Sequence, residues 1–250
     1  MSPIREPLAE DEVHVWLTRP AEVAEEAHRE TLAALLTPEE HARRRRFLQE
    51  KDRHAFLVTR ALARLTLSRY ADVPPGDWRF EIGEHGKPEI ATEHGSRLRF
   101  NLSHTRGMVA CAVTLDRDVG VDVETKDRRT ETTAIADRFF SAFEVDALRA
   151  LPAEEQRARF FTYWALKESY IKARGLGLSI PLGSFSFHVD DGPPIRISFD
   201  PSLGDDPERW QFMQTWASDV HSLAVGVVRT GVDLSIRVRD VVPGADPLPG

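Results

Sequence analysis

The sequence predicts an α/β fold of the α+β kind, built as two similar halves, each a helix laid on an antiparallel sheet. Three observations point there. Strands with period-two alternation, such as VGVDVE (119–124), stand beside segments with helical periodicity, such as the long amphipathic stretch from Lys51 to Tyr70. FEIGEHGKPEI, from Phe80, resembles FHVDDGPPIRI, from Phe187: both run strand, turn, Gly-X-Pro, strand, and each follows a long helical segment. MVACAVT, from Met108, resembles LAVGVVR, from Leu223. A shared period of roughly 105 to 115 residues implies an internal duplication, with halves related by a pseudo-twofold axis and a ligand cleft between them. The expected domains are 1–118 and 119–240, with 241–250 as a flexible tail.

The elements follow in order. EVHVWL (12–17) alternates as a strand, and AEVAEEAHRETLAALL (21–36) has a helical pattern. Thr37-Pro38-Glu39-Glu40 has the N-cap residue, first-turn proline and first-turn acids of a helix start. DWRFEI (77–82) is a strand and GEHGKP (83–88) a turn. RLRFNLSH (97–104), MVACAVTL (108–115) and VGVDVE (119–124) are strands, followed by helical segments that end with FFTYWALKESYIKARGLGL (160–178). Strands are expected around 184–190, 194–199, 209–216, 220–228 and 232–237.

Composition narrows the function. A chain of 250 residues, 41% hydrophobic and 29% charged, suits a soluble globular protein with ample core. No apolar run approaches the roughly 20 residues that a membrane helix needs. The start, MSPIREPLAEDEVH, is polar and acidic, unlike a signal or transit peptide, so a cytoplasmic setting is expected. The single cysteine, Cys111, excludes an internal disulfide and reads as core filling in an apolar strand. A net charge of -7 argues against a general nucleic-acid binder. Arg43 to Arg46 form a basic run, but four consecutive helical residues face all directions, so at most one or two of them meet an anion.

Two segments carry candidate chemistry. In VGVDVE, Val119, Val121 and Val123 face one way and Asp122 and Glu124 the other. Residues two apart on a strand lie about 6.6–7 Å apart on one face, so two carboxylates there can share a divalent cation. The plain alternative is a half-exposed edge strand with a polar face. In the 160–178 segment, Phe161, Trp164, Glu168, Ile171 and Lys172 share a helical stripe. An i,i+4 ion pair between Glu168 and Lys172 is worth only about 0.3–0.5 kcal/mol, too little to explain charges on an aromatic face. Three carboxylates within about 6 Å repel by roughly 3 kcal/mol per pair at an effective dielectric near 20. A hard cation removes that repulsion, and oxygen-only donors favour Mg²⁺ over zinc. Lys87 in Gly86-Lys87-Pro88, Ser103 and His104 in Asn101-Leu102-Ser103-His104, and Arg43 are candidate anion partners, each with an ordinary turn or surface role as the alternative.

Taken together, Asn101-Leu102-Ser103-His104, Gly120-Val121-Asp122-Val123-Glu124 and Trp164-Ala165-Leu166-Lys167-Glu168-Ser169-Tyr170-Ile171-Lys172 resemble the ordered motifs of the Sfp-type 4′-phosphopantetheinyl transferases. Gly86-Lys87-Pro88 before them, Gly175-Leu176-Gly177-Leu178 after them, and Arg45-Arg46-Phe47 ahead of a long helix fit the same pattern, which spans roughly residues 12 to 230. The resemblance implies a holo-[acyl-carrier-protein] synthase-type enzyme with coenzyme A in the cleft. It would move the phosphopantetheine arm of coenzyme A to a serine of an apo acyl or peptidyl carrier protein and release adenosine 3′,5′-bisphosphate. It implies that Asp122, Glu124 and Glu168 hold Mg²⁺, that Glu168 also takes the serine proton, and that Lys172 neutralises charge on the phosphates; Asp122, Glu168 and Lys172 form the catalytic set. Arg43, Gly86, Lys87, Pro88, Asn101, Ser103, His104, Lys167 and Lys172 are the implied cofactor-binding residues. Some relatives carry a second basic residue three positions before Arg43, where this chain has Glu40. Arg43, Arg46 or Arg53 would then serve the 3′-phosphate.

The expected partner is a small acidic helical carrier domain, docking near 125–150 on a monomeric enzyme that touches neither nucleic acid nor membrane. Two other readings remain open on the sequence. One is a Mg²⁺-dependent phosphotransferase that uses a nucleotide other than coenzyme A. The other is a catalytically silent module that grips carrier domains.

Overall fold

The computed structural model describes residues 6–189 and 192–245. Asp190 and Asp191 of the second repeat, and 246–250 of the expected tail, lie outside the described residues. In chain order the first elements are β1 (Glu12–Thr18), α1 (Glu26–Ala33), α2 (Pro38–Arg45), α3 (Glu50–Ser68), β2 (Phe80–Ile82), β3 (Pro88–Ile90), β4 (Leu98–Thr105) and β5 (Met108–Leu115). There follow β6 (Val119–Thr125), α4 (Thr132–Phe139), α5 (Ala142–Arg149), α6 (Ala153–Arg174), β7 (Phe185–His188), β8 (Arg196–Phe199), β9 (Trp210–Trp216), β10 (His221–Val228) and β11 (Ser235–Asp240). The chain is thus a mixture of helices and largely antiparallel sheets, as the sequence predicts. No described helix is long and apolar enough to cross a membrane.

The described chain divides into two compact units, 6–82 with 88–116 and 235–245, and 83–87 with 117–234. In the first, a four-stranded sheet has the order β11-β1-β5-β4. α3 lies on it, burying Phe56, Leu57, Val58, Ala61 and Leu62 against Phe100, Val109, Cys111 and Val113. In the second, a three-stranded antiparallel sheet has the order β6-β10-β9, with the β7–β8 hairpin as a separate ribbon. α6 lies on β6 and β10, and an aromatic core joins Phe160, Phe161, Tyr163, Tyr170, Phe185, Phe187 and Phe212.

Local chemistry sets the helix ends. Thr37 accepts from the Glu40 amide while Glu40 accepts from the Thr37 amide, a capping box that starts α2, with Pro38 at the first turn. Ser141 and Glu144 repeat the device at α5. α6 has Glu154 and Glu155 in its first turn and Lys172 and Arg174 in its last, both favourable to the helix dipole. It stops at Gly175, whose φ of 66° is open to glycine at little cost.

Several expected limits shift. The helix placed over 21–36 is confined to α1, because Pro20 starts a single 3-10 turn and Val23 leaves helical geometry at φ -96°, ψ 64°. The strand placed over 77–82 begins at Phe80, because Pro75-Gly76-Asp77 form another such turn. The last strand, placed over 232–237 in the C-terminal half, runs over Ser235–Asp240 and joins the first unit. There it pairs parallel to β1, with Glu12 opposite Ser235 and Leu17 opposite Asp240. Arg237 and Arg239 tie it down through ion pairs with Glu12 and Glu6. The start of the expected flexible tail is packed: the Val241 amide donates to Leu17 at 2.8 Å, the Val241 side chain is in the core and Pro243 is buried, while Gly244 and Ala245 are exposed.

Candidate active site

The site is built where α6 crosses β6. On β6, Gly120, Asp122 and Glu124 share one face, and α6 lies on that face. A methyl group at Gly120 would sit 2.0 Å from the Ser169 carbonyl and 2.4 Å from the Ala173 amide, so only glycine admits the helix backbone so close. The cross-strand partner of Gly120 is Gly226 on β10, where an added methyl would meet the Phe212 ring at 2.7 Å. This pair of glycines forms a notch under Ser169, the residue after Glu168. Asp122 is consequently buried and Glu124 partly so; β6 is indeed the edge strand of its sheet, but α6 covers the face that the plain alternative left half-exposed. The expected single stripe on α6 is too narrow. Tyr163, Ala165, Leu166, Lys167, Ser169 and Tyr170 are buried along with Phe161 and Ile171, because α4, α5 and the β7 ribbon cover the helix on its other sides.

Asp122, Glu124, Glu168 and Lys172 come together here. The Lys172 ammonium donates to Asp122 Oδ1 at 2.6 Å and to the Val121 carbonyl at 3.3 Å, so the lysine expected to pair one turn back with Glu168 is also tied to the strand. Arg128, in the segment after β6, donates from Nη1 to both oxygens of Glu124 at 3.1 Å. Burial pushes the Glu168 carboxyl up to about 7, and the Asp122 and Glu124 charges push the same way while Lys172 opposes them. Burial and then Asp122 also raise Glu124, against Arg128 and Lys172. Glu168 thus feels both strand acids, and Glu124 feels Asp122. Among the described residues no group of three His, Cys, Asp or Glu side chains stands in metal-holding array; Asp122 is paired with Lys172 and Glu124 with Arg128.

Lys167, expected among the cofactor-binding residues, is not at this site. It is fully buried, donating to the carbonyls of Leu182 at 2.8 Å and Phe185 at 2.7 Å and pairing with Glu144 at 2.7 Å. Its three N–H groups are thereby engaged. Glu144 also accepts from the amides of Ser141 and Phe187. Desolvation lowers the lysine to about 8, with Glu144 opposing. The network sets the rotation of α6 and so aims the neighbouring Glu168. Lys87 sits in the 83–87 turn, where Gly86 has a φ of 85°. Its ammonium donates to Val119 at 3.3 Å and Ala173 at 3.2 Å, linking the start of β6 to the last turn of α6. Pro88 opens β3, opposite Ile82.

The remaining expected residues belong to the first unit. Arg43 is exposed in the last turn of α2, its guanidinium 5.8 Å from the Phe56 ring centre. On β4, Asn101 and Ser103 share a buried face, whereas His104 points to the opposite side and is exposed. Strand alternation therefore separates His104 from the pair with which the motif groups it. Glu40, the departure before Arg43, serves the scaffold: beyond the capping box it pairs with Arg64 at 2.7 Å.

Gly120, Glu144, Arg128 and Arg157 contribute without having been singled out. Ser-Ala-Phe-Glu at 141–144 is a capping-box pattern legible in the sequence. The other three depend on strand register and a loop path that no local pattern encodes.

Comparison with known proteins agrees with this architecture. The model of the 4′-phosphopantetheinyl transferase superfamily matches residues 118–227, and that of the 4′-phosphopantetheinyl transferase N-terminal region matches 24–115. The chain is 38% identical to the 4′-phosphopantetheinyl transferase HetI of Nostoc sp., over 90% of this chain and 91% of that protein. It is 33% identical to a 4′-phosphopantetheinyl transferase of Bacillus subtilis, over 84% and 89%, and 35% identical to Sfp of Bacillus subtilis, over 73% and 78%. With matches to both halves and a relative 38% identical over 91% of its length, the chain belongs to the 4′-phosphopantetheinyl transferase family.

Proposed function

We propose that this chain transfers the 4′-phosphopantetheine arm of coenzyme A to a serine of an apo acyl or peptidyl carrier protein. In the step, the serine oxygen bonds to the phosphorus that carries the arm. The bond from that phosphorus to the bridging oxygen breaks, adenosine 3′,5′-bisphosphate leaves, and the serine proton passes to a base. The observation that carries the reading is a half-buried Glu168 whose carboxyl is pushed up by burial and by the nearby Asp122 and Glu124, with Lys172 ion-paired to Asp122, in a chain of this family.

The donor set fits a hard divalent cation in chemistry: three carboxylates and no thiol or imidazole. Asp122, Glu124 and Glu168 would hold Mg²⁺. When bound, the cation neutralises phosphate charge and polarises the electrophile. Glu168 is the base in this reading, since a carboxylate beside an apolar wall can accept a proton near neutral pH. Lys172 holds Asp122 in orientation and offsets charge that develops on the departing nucleotide. Arg43, Gly86, Lys87, Pro88, Asn101, Ser103 and His104 are proposed to bind the coenzyme A nucleotide, with Lys87 exchanging a carbonyl for a ligand atom. The enzyme is taken to act as a cytoplasmic monomer.

Intact-protein mass spectrometry tests the reading. An apo carrier domain incubated with the enzyme, coenzyme A and Mg²⁺ should gain one phosphopantetheine arm. The gain should vanish with Glu168→Gln and with a chelator. A gain that survives Glu168→Gln removes Glu168 as the base. No gain on any of several carriers, despite coenzyme A binding, removes the transferase reading.

A further inference from the structure

The segment leaving β6 is held with unusual care for a surface turn. Arg157, near the start of α6, donates from Nε to the Lys126 carbonyl at 2.6 Å, from Nη1 to Thr130 at 3.3 Å, and from Nη2 to the carbonyl of Arg128. One guanidinium thus grips three carbonyls of a five-residue stretch. The Lys126 amide adds a bond to Val220 at 2.9 Å, and the Asp127 amide one to Thr125 Oγ1 at 3.3 Å. Four residues after Glu124, the clamped chain presents Arg128, whose Nη1 reaches both carboxylate oxygens. The Arg128 side chain is itself exposed, so it is the clamp on its backbone that keeps it at Glu124.

We propose that Arg128 is a positioning residue for Glu124: delivered by the Arg157 clamp, its guanidinium holds both carboxylate oxygens until a divalent cation takes its place. The inference rests on the proposed metal role of Glu124. A cation ligated by Glu124 and the guanidinium would stand on the same carboxylate, where the two positive charges repel and compete for its oxygens. Arg128 therefore keeps Glu124 from being repelled by Asp122 while the site is metal-free, and competes with the metal for it. The exposed position of Arg128 lets it swing into solvent at small cost.

The test is Mn²⁺ binding to the full-length protein alone, followed by the electron paramagnetic resonance signal of the free ion. Arg157 grips the backbone of Arg128, so Arg128→Ala leaves the clamp in place. Arg129→Ala removes an equal charge one residue on and serves as the electrostatic control. Arg128→Ala should bind Mn²⁺ about two- to fivefold more tightly than wild type, the range an exposed ion pair supports, and Arg129→Ala should change affinity by clearly less. Equal effects from the two variants, or weaker binding by Arg128→Ala, overturn the proposal. Asp122→Asn separates it from the metal reading. If wild type binds Mn²⁺ and Asp122→Asn loses it, the metal site stands whatever Arg128 does; if Asp122→Asn binds as wild type does, the metal site itself is misplaced.

Discussion

The two long helices, α3 and α6, make an instructive pair. Each buries one cation, and each cation is answered in the same way. In the first unit Arg64 pairs with Glu40 at 2.7 Å, donates to the Trp78 carbonyl and lies 5.0 Å from the Phe80 ring centre. In the second, Lys167 pairs with Glu144 at 2.7 Å, donates to the Leu182 and Phe185 carbonyls and lies 4.2 Å from the Phe185 ring centre. Glu40 and Glu144 are both the third residue of a capping-box helix. The spacings, 104 residues between the glutamates and 103 between the cations, fall just below the 105 to 115 residues of the sequence repeat. One residue beyond the cation the copies part: α3 has Leu65, packed on its core, and α6 has Glu168. The buried pair recurs in both units; the acid beside it stands in one only.

The strongest way to break the comparison is to remove the cations. Lys167→Met leaves Glu144 wholly buried without its counter-charge, a loss of about 3–5 kcal/mol. Arg64→Met should destabilise less, because the Glu40 side chain is 15% exposed whereas that of Glu144 is not exposed at all. Urea unfolding of the two variants checks the order. Equal losses would mean that burial of the carboxylate does not govern the effect. Lys167→Met should also reduce transfer more than Arg64→Met when both are assayed well below their unfolding midpoints, since Lys167 adjoins Glu168.

Next comes the glycine notch. Gly120→Ala drives a methyl into helix backbone that cannot step aside, and should cost about 3 kcal/mol while displacing Glu168 from Asp122. Gly226→Ala meets mainly the far edge of the Phe212 ring, which can turn, and should cost about 1 kcal/mol. Thermal unfolding and transfer rates of the pair measure how far the site depends on helix-to-strand distance. Similar behaviour of the two would locate the tight fit elsewhere.

These positions also mark how far the sequence could be read. The acids were legible because two short-range periods expose them: Asp122 and Glu124 by strand alternation, Glu168 and Lys172 by helical spacing. The long helix α3 was legible from its amphipathic pattern, and the start of α2 from its cap residue, proline and first-turn acids. The strand partner of Lys172 was not, since Asp122 lies 50 residues back and only the crossing of α6 over β6 joins them. Lys167 was misread because a lysine in a charged motif looks solvent- or ligand-facing, and only tertiary packing shows three acceptors closing around it. The place of β11 was beyond local pattern altogether: its partner strand begins more than 220 residues earlier, and sequence proximity assigned it to the wrong unit. His104 lies on the other side of β4 from Asn101 and Ser103, a separation that a motif read as a block conceals.

The last effect sharpens the comparison most directly, because it asks what Glu168 costs a helix whose counterpart does without an acid. In the folded, metal-free protein the Glu168 carboxyl keeps its proton up to about pH 7, whereas the usual value is 4.5. Between those values the unfolded chain releases a proton that the folded chain retains, so the acid's contribution to stability falls as pH rises through the window and is fully unfavourable above it. Glu168→Gln is neutral at every pH and escapes this. In chelator-treated protein the variant should therefore be more stable than wild type by about 2 kcal/mol at pH 8, at about 1.4 kcal/mol per pKa unit with allowance for relaxation, and the difference should close towards pH 5. Adding Mg²⁺ should narrow the gap at pH 8, because a cation that binds only the folded carboxylates restores stability to wild type alone. A gap that does not vary with pH would show that Glu168 is not strained by its neighbours. A gap indifferent to Mg²⁺ would mean that the three acids are coupled to each other without serving a metal.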